Sequence, residues 1–188
     1  RNGLGEEHMR NTLLAASAAL LLAAGPAAAQ QKTIKIGFIS TFSGPVAVIG
    51  NDMRNSFELA LDHLGRKMGG IPVEVIYEDD GFKPEVGKQK TDKLIESDKV
   101  DFLTGYIWSN VLLASLKSAV DSKTFLITAN AGPSQIAGEL CSPYVFSTSW
   151  NNDQTPAAIG LYMNQKNVKT AFLIGPNYAA GKDMVEGV

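Results

Sequence analysis

From Thr33 onward, short apolar runs alternate with segments whose apolar residues return every three or four positions. "TIKIGFIS" carries Ile34, Ile36 and Phe38 among β-branched neighbours, the mark of a strand. Between Asn51 and Lys67, residues Met53, Phe57, Ala60, Leu61, Leu64 and then Met68 share one helical face. "GGIP" ends that helix, and "PVEVIYEDD" is a second strand. Pro84 to Ser97 forms a weaker helix with Val86, Leu94 and Ile95 inward. "VDFLTGY" is a third strand, followed by a helix on Leu112, Leu113, Leu116, Ala119 and Val120. "TFLIT" and "YVFSTS" predict a fourth and a fifth strand, Asp153 to Gln165 a helix, "TAFLIG" a strand, and "AAGKDMVEGV" a last helix.

Strands alternating with helices predict right-handed crossovers and a parallel sheet, an α/β protein of the doubly wound kind. Ligands of such sheets lie beyond the carboxyl ends of the strands. That directs attention to the loops "STFSGP", "EDDGF", "GYIWSN", "ANAGPSQ", "STSWNND" and "GPNYAAG".

Before the first strand the chain reads differently. Residues 1–8 are polar and patternless, a non-native or upstream extension. Met9 then opens a stretch with Arg10 as a positive start, an apolar core from Leu13 to Ala24, and the small run Ala27-Ala28-Ala29. Together these make residues 9–29 a cleavable secretory signal peptide. The apolar run falls short of the roughly 20 residues a bilayer needs, and Gly25-Pro26 breaks it. No cysteine follows to carry a lipid. A periplasmic location without a direct membrane anchor is therefore expected.

Composition narrows the chemistry. The formal net charge of -2 leaves no basic footprint for nucleic acid. The single Cys141 has no internal disulfide partner. Gly44 and Gly50 stand too far apart for a dinucleotide-binding G-x-G-x-x-G, so the acidic run Glu78-Asp79-Asp80 reads as a solvated strand end rather than a ribose-binding acid. "GPNYAAGKD" has the wrong spacing for a nucleotide-binding P-loop, and Asp183 follows its lysine. Of two histidines, His8 precedes Met9 and His63 lies on a helix face as a solvated residue. With no metal pair, nucleophile elbow or Cys-His couple, neither a cofactor nor a metal nor enzymatic turnover is expected.

What remains is suited to binding. Ser109 and Asn110 open a helix directly after a strand, where free N–H groups and the positive end of the dipole form an anion site. Ser109 reads either as a plain N-cap or as a cap whose hydroxyl also meets a ligand carboxylate. The small residues of "TANAGPS" allow a close backbone approach to a ligand, or a tight turn into a short helix. Trp108, Trp150 and Tyr178 each end a predicted strand, and three aromatic residues on one edge predict an aromatic-walled cleft.

"IKIGFISTFSGPVAVIGNDMRNSFELALDHL", "VIYEDDGFKPEVGKQKTDKLIESDKVDFLTG" and "FLIGPNYAAGKDMVEG" carry a pattern that resembles the periplasmic solute-binding proteins of the branched-chain amino acid and related ABC transporters. The likeness spans Lys32 to Val188. It implies the type I periplasmic binding protein fold: two doubly wound parallel-sheet lobes that close on a small solute. Residues 30–149 would form the first lobe, and 150–188 the start of a second, truncated lobe in an N-terminal fragment. Phe42 and Ser43 of "STFSGP" would line the cleft, with Trp108, Asn110 and Trp150 beside it. Ser109 matches the family's carboxylate-binding serine, Asn130, Ala131 and Gly132 the segment that holds the ligand's polar head, and Tyr178 a cleft tyrosine of the second lobe.

Two departures modify that expectation. Amino-acid-binding relatives carry Thr where Gly132 stands, and some have a disulfide whose second cysteine is replaced here by Trp108. A lost hydroxyl weakens an amino-acid reading, and an added indole favours a flat ligand such as an aromatic carboxylate. The function implied is capture of a small carboxylate-bearing solute, an aromatic acid or a branched-chain amino acid, for an ABC permease at the inner membrane. The same fold also serves as a ligand-sensing domain of receptors and regulators, and a flavodoxin-like sheet supports enzymes that a bound-flavin spectrum would reveal.

Overall fold

The computed structural model describes residues Lys32–Val188, so the expected extension and signal peptide lie outside the described residues. The strands are β1 (Ile34–Ser40), β2 (Lys67–Met68), β3 (Ile71–Asp79), β4 (Phe102–Gly105), β5 (Phe125–Thr128) and β6 (Val145–Ser147). They form one sheet in the order β2-β3-β1-β4-β5-β6. Every pairing is parallel except that of the two-residue β2 with β3. Five parallel strands running β3-β1-β4-β5-β6 reverse their order between β1 and β4, the switch point where doubly wound sheets bind ligands.

The helices are α1 (Ala47–His63), α2 (Pro84–Glu96), α3 (Ser109–Asp121), α4 (Gln154–Gln165) and α5 (Ala179–Glu186), with a 3₁₀ turn at Ser134–Ala137. Side chains alternate across a strand, so β1 serves both faces. Phe38 turns to α1, its ring 5.3 Å from that of Phe57. Ile39, on the opposite face, joins Leu94 of α2, Leu103, Val111 and Leu112 of α3, and Leu126 in the core. Each of these is fully buried, and together they fix the sheet against the α2–α3 layer.

Three boundaries depart from the sequence pattern. Helix α1 begins at Ala47 rather than Asn51, because Gly44 at φ 76° turns the chain and accepts the Ala47 N–H at 3.2 Å. It ends at His63, where Gly65 and Arg66 take positive φ and the Arg66 N–H returns to the Leu61 carbonyl at 2.7 Å. Leu64 and Met68 are therefore exposed rather than on the buried face. "TAFLIG", Thr170–Gly175, is not a strand: it has no ladder among the described residues, and Phe172 and Ile174 stand 89% and 85% exposed.

Candidate functional site

At the switch point, the chain leaving β4 must turn sharply to enter α3. Gly105 and Tyr106 take φ of 98° and 52°, and the Tyr106 N–H donates to the Ile39 carbonyl at 2.6 Å. Tyr106 drops into the core, its hydroxyl 2.9 Å from Thr91 Oγ1, and burial pushes its phenol well above the ordinary range. Two residues later Trp108 emerges half-buried in extended backbone and takes the N-cap position of α3.

Trp108 is the centre of an aromatic wall. Phe82, in the loop after β3, places its ring 4.3 Å from the indole. Tyr178, at the N-cap of α5, meets it edge-on at 6.2 Å. Burial raises the Tyr178 phenol above its ordinary value, so it stays a neutral hydroxyl at physiological pH. The indole N–H donates to Thr41 Oγ1 at 2.8 Å.

The polar end of the wall is the start of α3. Ser109 is not a cap: no side chain caps this helix, and Ser109 is its first residue. Its hydroxyl, 1% exposed, instead accepts Asn152 Nδ2 at 3.0 Å. Asn152 also donates to Asp183 of α5 at 3.0 Å, and Asp183 accepts both the N–H and the hydroxyl of Ser134. Asn110 Oδ1 is buried with no partner. Asn130 Nδ2 donates to the Ile107 carbonyl at 3.0 Å, tying the loop after β5 to the turn after β4. The Ala131 N–H bonds Tyr106 and its carbonyl accepts Thr128, so both of its backbone groups are engaged within the protein. Gly132 permits no side chain, since a Cβ there would lie 1.9 Å from the Trp150 carbonyl oxygen. A threonine at this position has no room on this backbone.

The expected aromatic edge is only partly assembled. Trp150 has no ring contact with Trp108; half exposed, it lines an apolar hollow of about 510 Å³ with Phe172, Ile174 and Met184. Phe42 packs 6.0 Å from Tyr77, with the Arg54 guanidinium 5.4 Å above its ring. Ser43 is exposed and serves Asp79. Phe82, Asn152 and Asp183 belong to the site although their sequence context marked only the loops "EDDGF", "STSWNND" and "GPNYAAG" as worth reading.

The acidic run is not a solvated strand end, because its three carboxylates diverge. Glu78 pairs with Lys90 and Lys93, each at 2.7 Å, and burial is outweighed by these bonds, so its pKa falls. Asp79 is likewise held low against burial by Ser43 and by the N–H groups of Phe42 and Gly81. Asp80 is fully buried, accepts Thr41 Oγ1 at 2.5 Å and the Phe82 N–H at 2.8 Å, and leaves Oδ2 without a partner. Burial raises its pKa. A raised value means the native state holds this proton more tightly than the unfolded chain, so Asp80 supports stability at low pH and loses that support as pH rises through its folded pKa. Asp80→Asn should therefore gain stability relative to the unaltered protein between about pH 4 and neutrality. Urea denaturation at the two pH values measures this, and a difference independent of pH would show that Asp80 titrates alike folded and unfolded.

A family model described as periplasmic binding protein matches residues 33–188. The chain belongs to the periplasmic binding protein family. It is 30% identical over 171 residues to Leu/Ile/Val-binding protein homolog 6 of Brucella abortus, covering 90% of this chain and 43% of that relative. Among solved structures it is similar to a solute-binding protein of an ABC transporter from R. palustris in complex with benzoate, at 35% identity and a TM-score of 0.78, covering 83% of this chain and 43% of that one. A Rhodopseudomonas palustris BisB5 solute-binding protein in complex with 3,4-dihydroxybenzoic acid gives 30% identity and a TM-score of 0.76, with coverage of 82% and 42%. The substrate-binding protein LivJ from Streptococcus pneumoniae, in complex with isoleucine, shares the fold at 22% identity and a TM-score of 0.69, with coverage of 83% and 45%. The chain thus spans less than half the length of these relatives. Among the described residues of this periplasmic binding protein, no group of three or more His, Cys, Asp or Glu could hold a metal ion, and Cys141 is a free, exposed thiol.

Proposed function

We propose that this protein is the extracytoplasmic solute-binding component of an ABC importer, which captures a small aromatic carboxylate between two lobes and delivers it to a permease at the inner membrane. The observation that carries this reading is the wall of Trp108, Phe82 and Tyr178 set directly against the start of α3. A flat ring stacks on the wall, while the N–H groups and positive dipole at the start of α3 receive the carboxylate. Ser109 and Asn110 would supply the side-chain contacts of that polar end, and Asn130 and Gly132 the close backbone that shapes it. Binding and release need no bond-breaking group, which fits a family of carriers rather than enzymes. No helix of the described residues is long and apolar enough to cross a membrane. Delivery to a membrane permease would then be made from the periplasm, the compartment to which the expected signal peptide directs the chain.

A second reading, a branched-chain amino acid as the solute, draws on the Brucella relative. Titration calorimetry of the whole protein with benzoate, 4-hydroxybenzoate and isoleucine distinguishes the two. Tight isoleucine binding with none of the aromatic acids would replace the first reading by the second. Trp108→Ala should weaken benzoate by about 0.5–1.5 kcal/mol beyond the loss of buried area, and leave isoleucine nearly unaffected.

A further inference from the structure

Thr41 and Asp80 make no part of the aromatic wall, yet both are 0% exposed and both hold it in place. Parallel pairing sets Ser40 of β1 opposite Asp79 of β3, so the next residues of the two strands, Thr41 and Asp80, meet at the carboxyl edge of the sheet. The Thr41 hydroxyl donates to Asp80 Oδ1 at 2.5 Å and accepts the Trp108 indole N–H at 2.8 Å. A threonine hydroxyl has one proton, and commitment of that proton to the carboxylate turns its lone pairs toward the indole. The same Oδ1 accepts the Phe82 N–H at 2.8 Å, in the loop whose ring lies 4.3 Å from Trp108. One buried carboxylate oxygen therefore organises both rings, the indole through Thr41 and the phenyl through its backbone.

We propose that Thr41 and Asp80 are positioning residues that fix the plane of the Trp108 indole and thereby set a preference for flat aromatic carboxylates over aliphatic ones. This rests on the aromatic-acid reading of the site. An indole N–H bond lies in the ring plane, so an acceptor held at one point fixes the ring's rotation. Ring stacking needs a defined offset and tilt, whereas an aliphatic side chain gains similar dispersion contact from a tilted ring. Loss of the anchor should therefore act selectively.

The test uses the whole protein, with benzoate and isoleucine as calorimetric probes. Thr41→Val should weaken benzoate about 5- to 10-fold and isoleucine less than about 2-fold, and Thr41→Ser should restore benzoate affinity. In a Trp108→Phe background, Thr41→Val should have no further effect, because the ring then has no N–H to anchor. Equal losses for the two probes, or a full loss in the Trp108→Phe background, would mean that Thr41 only supports the fold and would overturn the inference. Hydrogen exchange of the Trp108 indole N–H in the unaltered protein needs no variant: protection supports the anchor, and exchange at the rate of free indole overturns it. Benzoate affinity unchanged by Thr41→Val overturns the positioning role alone. Failure of the unaltered protein to bind any aromatic acid overturns the functional reading, and this inference with it.

Discussion

Gly105→Ala should be the most damaging single-methyl change in the sheet, lowering stability by about 3–5 kcal/mol out of the roughly 5–15 kcal/mol that holds a domain together. Two independent penalties coincide there. At φ 98°, Gly105 occupies backbone that L side chains rarely adopt. A Cβ would also stand 2.1 Å from the Ile39 carbonyl oxygen and 2.9 Å from its carbon. The obstacle is the backbone of β1, which has no rotamer with which to retreat. Relief would require β1 and β4 to part at the switch point, breaking the 2.6 Å bond from the Tyr106 N–H to Ile39. That bond sets the turn which delivers Trp108 to the edge of the sheet, so solute affinity should fall with stability. Urea denaturation of the whole protein measures the loss as a lower midpoint at unchanged slope. A loss under about 1 kcal/mol would show that the end of β4 is free to swing.

The strands of the parallel sheet were legible because each repeats its apolar signal locally: Ile34, Ile36 and Phe38, or Leu103 and Leu126 at the centres of their runs. Thr170–Gly175 shows the limit of that signal. Its residues are as apolar as those of β5, but a strand exists only with a neighbour to bond, and here no neighbour pairs with it among the described residues. The helical face of α1 was overextended for a related reason. Leu64 and Met68 keep the apolar spacing, but Leu64 stands at the exposed C-cap of a helix that ends at His63, and the positive φ of Gly65 and Arg66 turns the chain before Met68.

The site was legible where it depends on strand ends and illegible where it depends on pairing. Trp108 and Tyr178 could be placed together because both terminate strand-like runs on the ligand-bearing edge, and their rings do meet. Trp150 satisfied the same criterion and faces a different hollow. The run Glu78-Asp79-Asp80 contains nothing local to say which carboxylate turns inward; the register of β1 against β3 decides it by setting Thr41 beside Asp80. Likewise the partner of Ser109 lies 43 residues away at Asn152, beyond the reach of any spacing rule.

That partnership leads to the second large effect, at Asp183. This carboxylate is 3% exposed, and its three donors are neutral: the Ser134 N–H and Asn152 Nδ2 to Oδ2, each at 3.0 Å, and the Ser134 hydroxyl to Oδ1 at 2.9 Å. Through Asn152 it also reaches Ser109 at the start of α3, so it joins α5 to the polar end of the candidate site. Asp183→Ala removes the acceptor of both part-buried Ser134 donors and one of the two acceptors of buried Asn152 Nδ2, which keeps only Ser109, and should lower stability by about 3 kcal/mol. It should also loosen α5, whose N-cap Tyr178 forms one side of the aromatic wall, and so weaken benzoate binding. Asp183→Asn separates geometry from charge. With its amide oxygen in the place of Oδ2 it still accepts the Ser134 N–H and Asn152, and its NH₂ donates to the Ser134 hydroxyl oxygen, so every partner is kept. Only the charge assistance is lost, and the cost should fall to about 1 kcal/mol. Denaturation of the two variants, followed by tryptophan fluorescence, gives the comparison. Equal losses would mean that the negative charge itself holds α5, and an unchanged midpoint for Asp183→Ala would mean that α5 is held without this network.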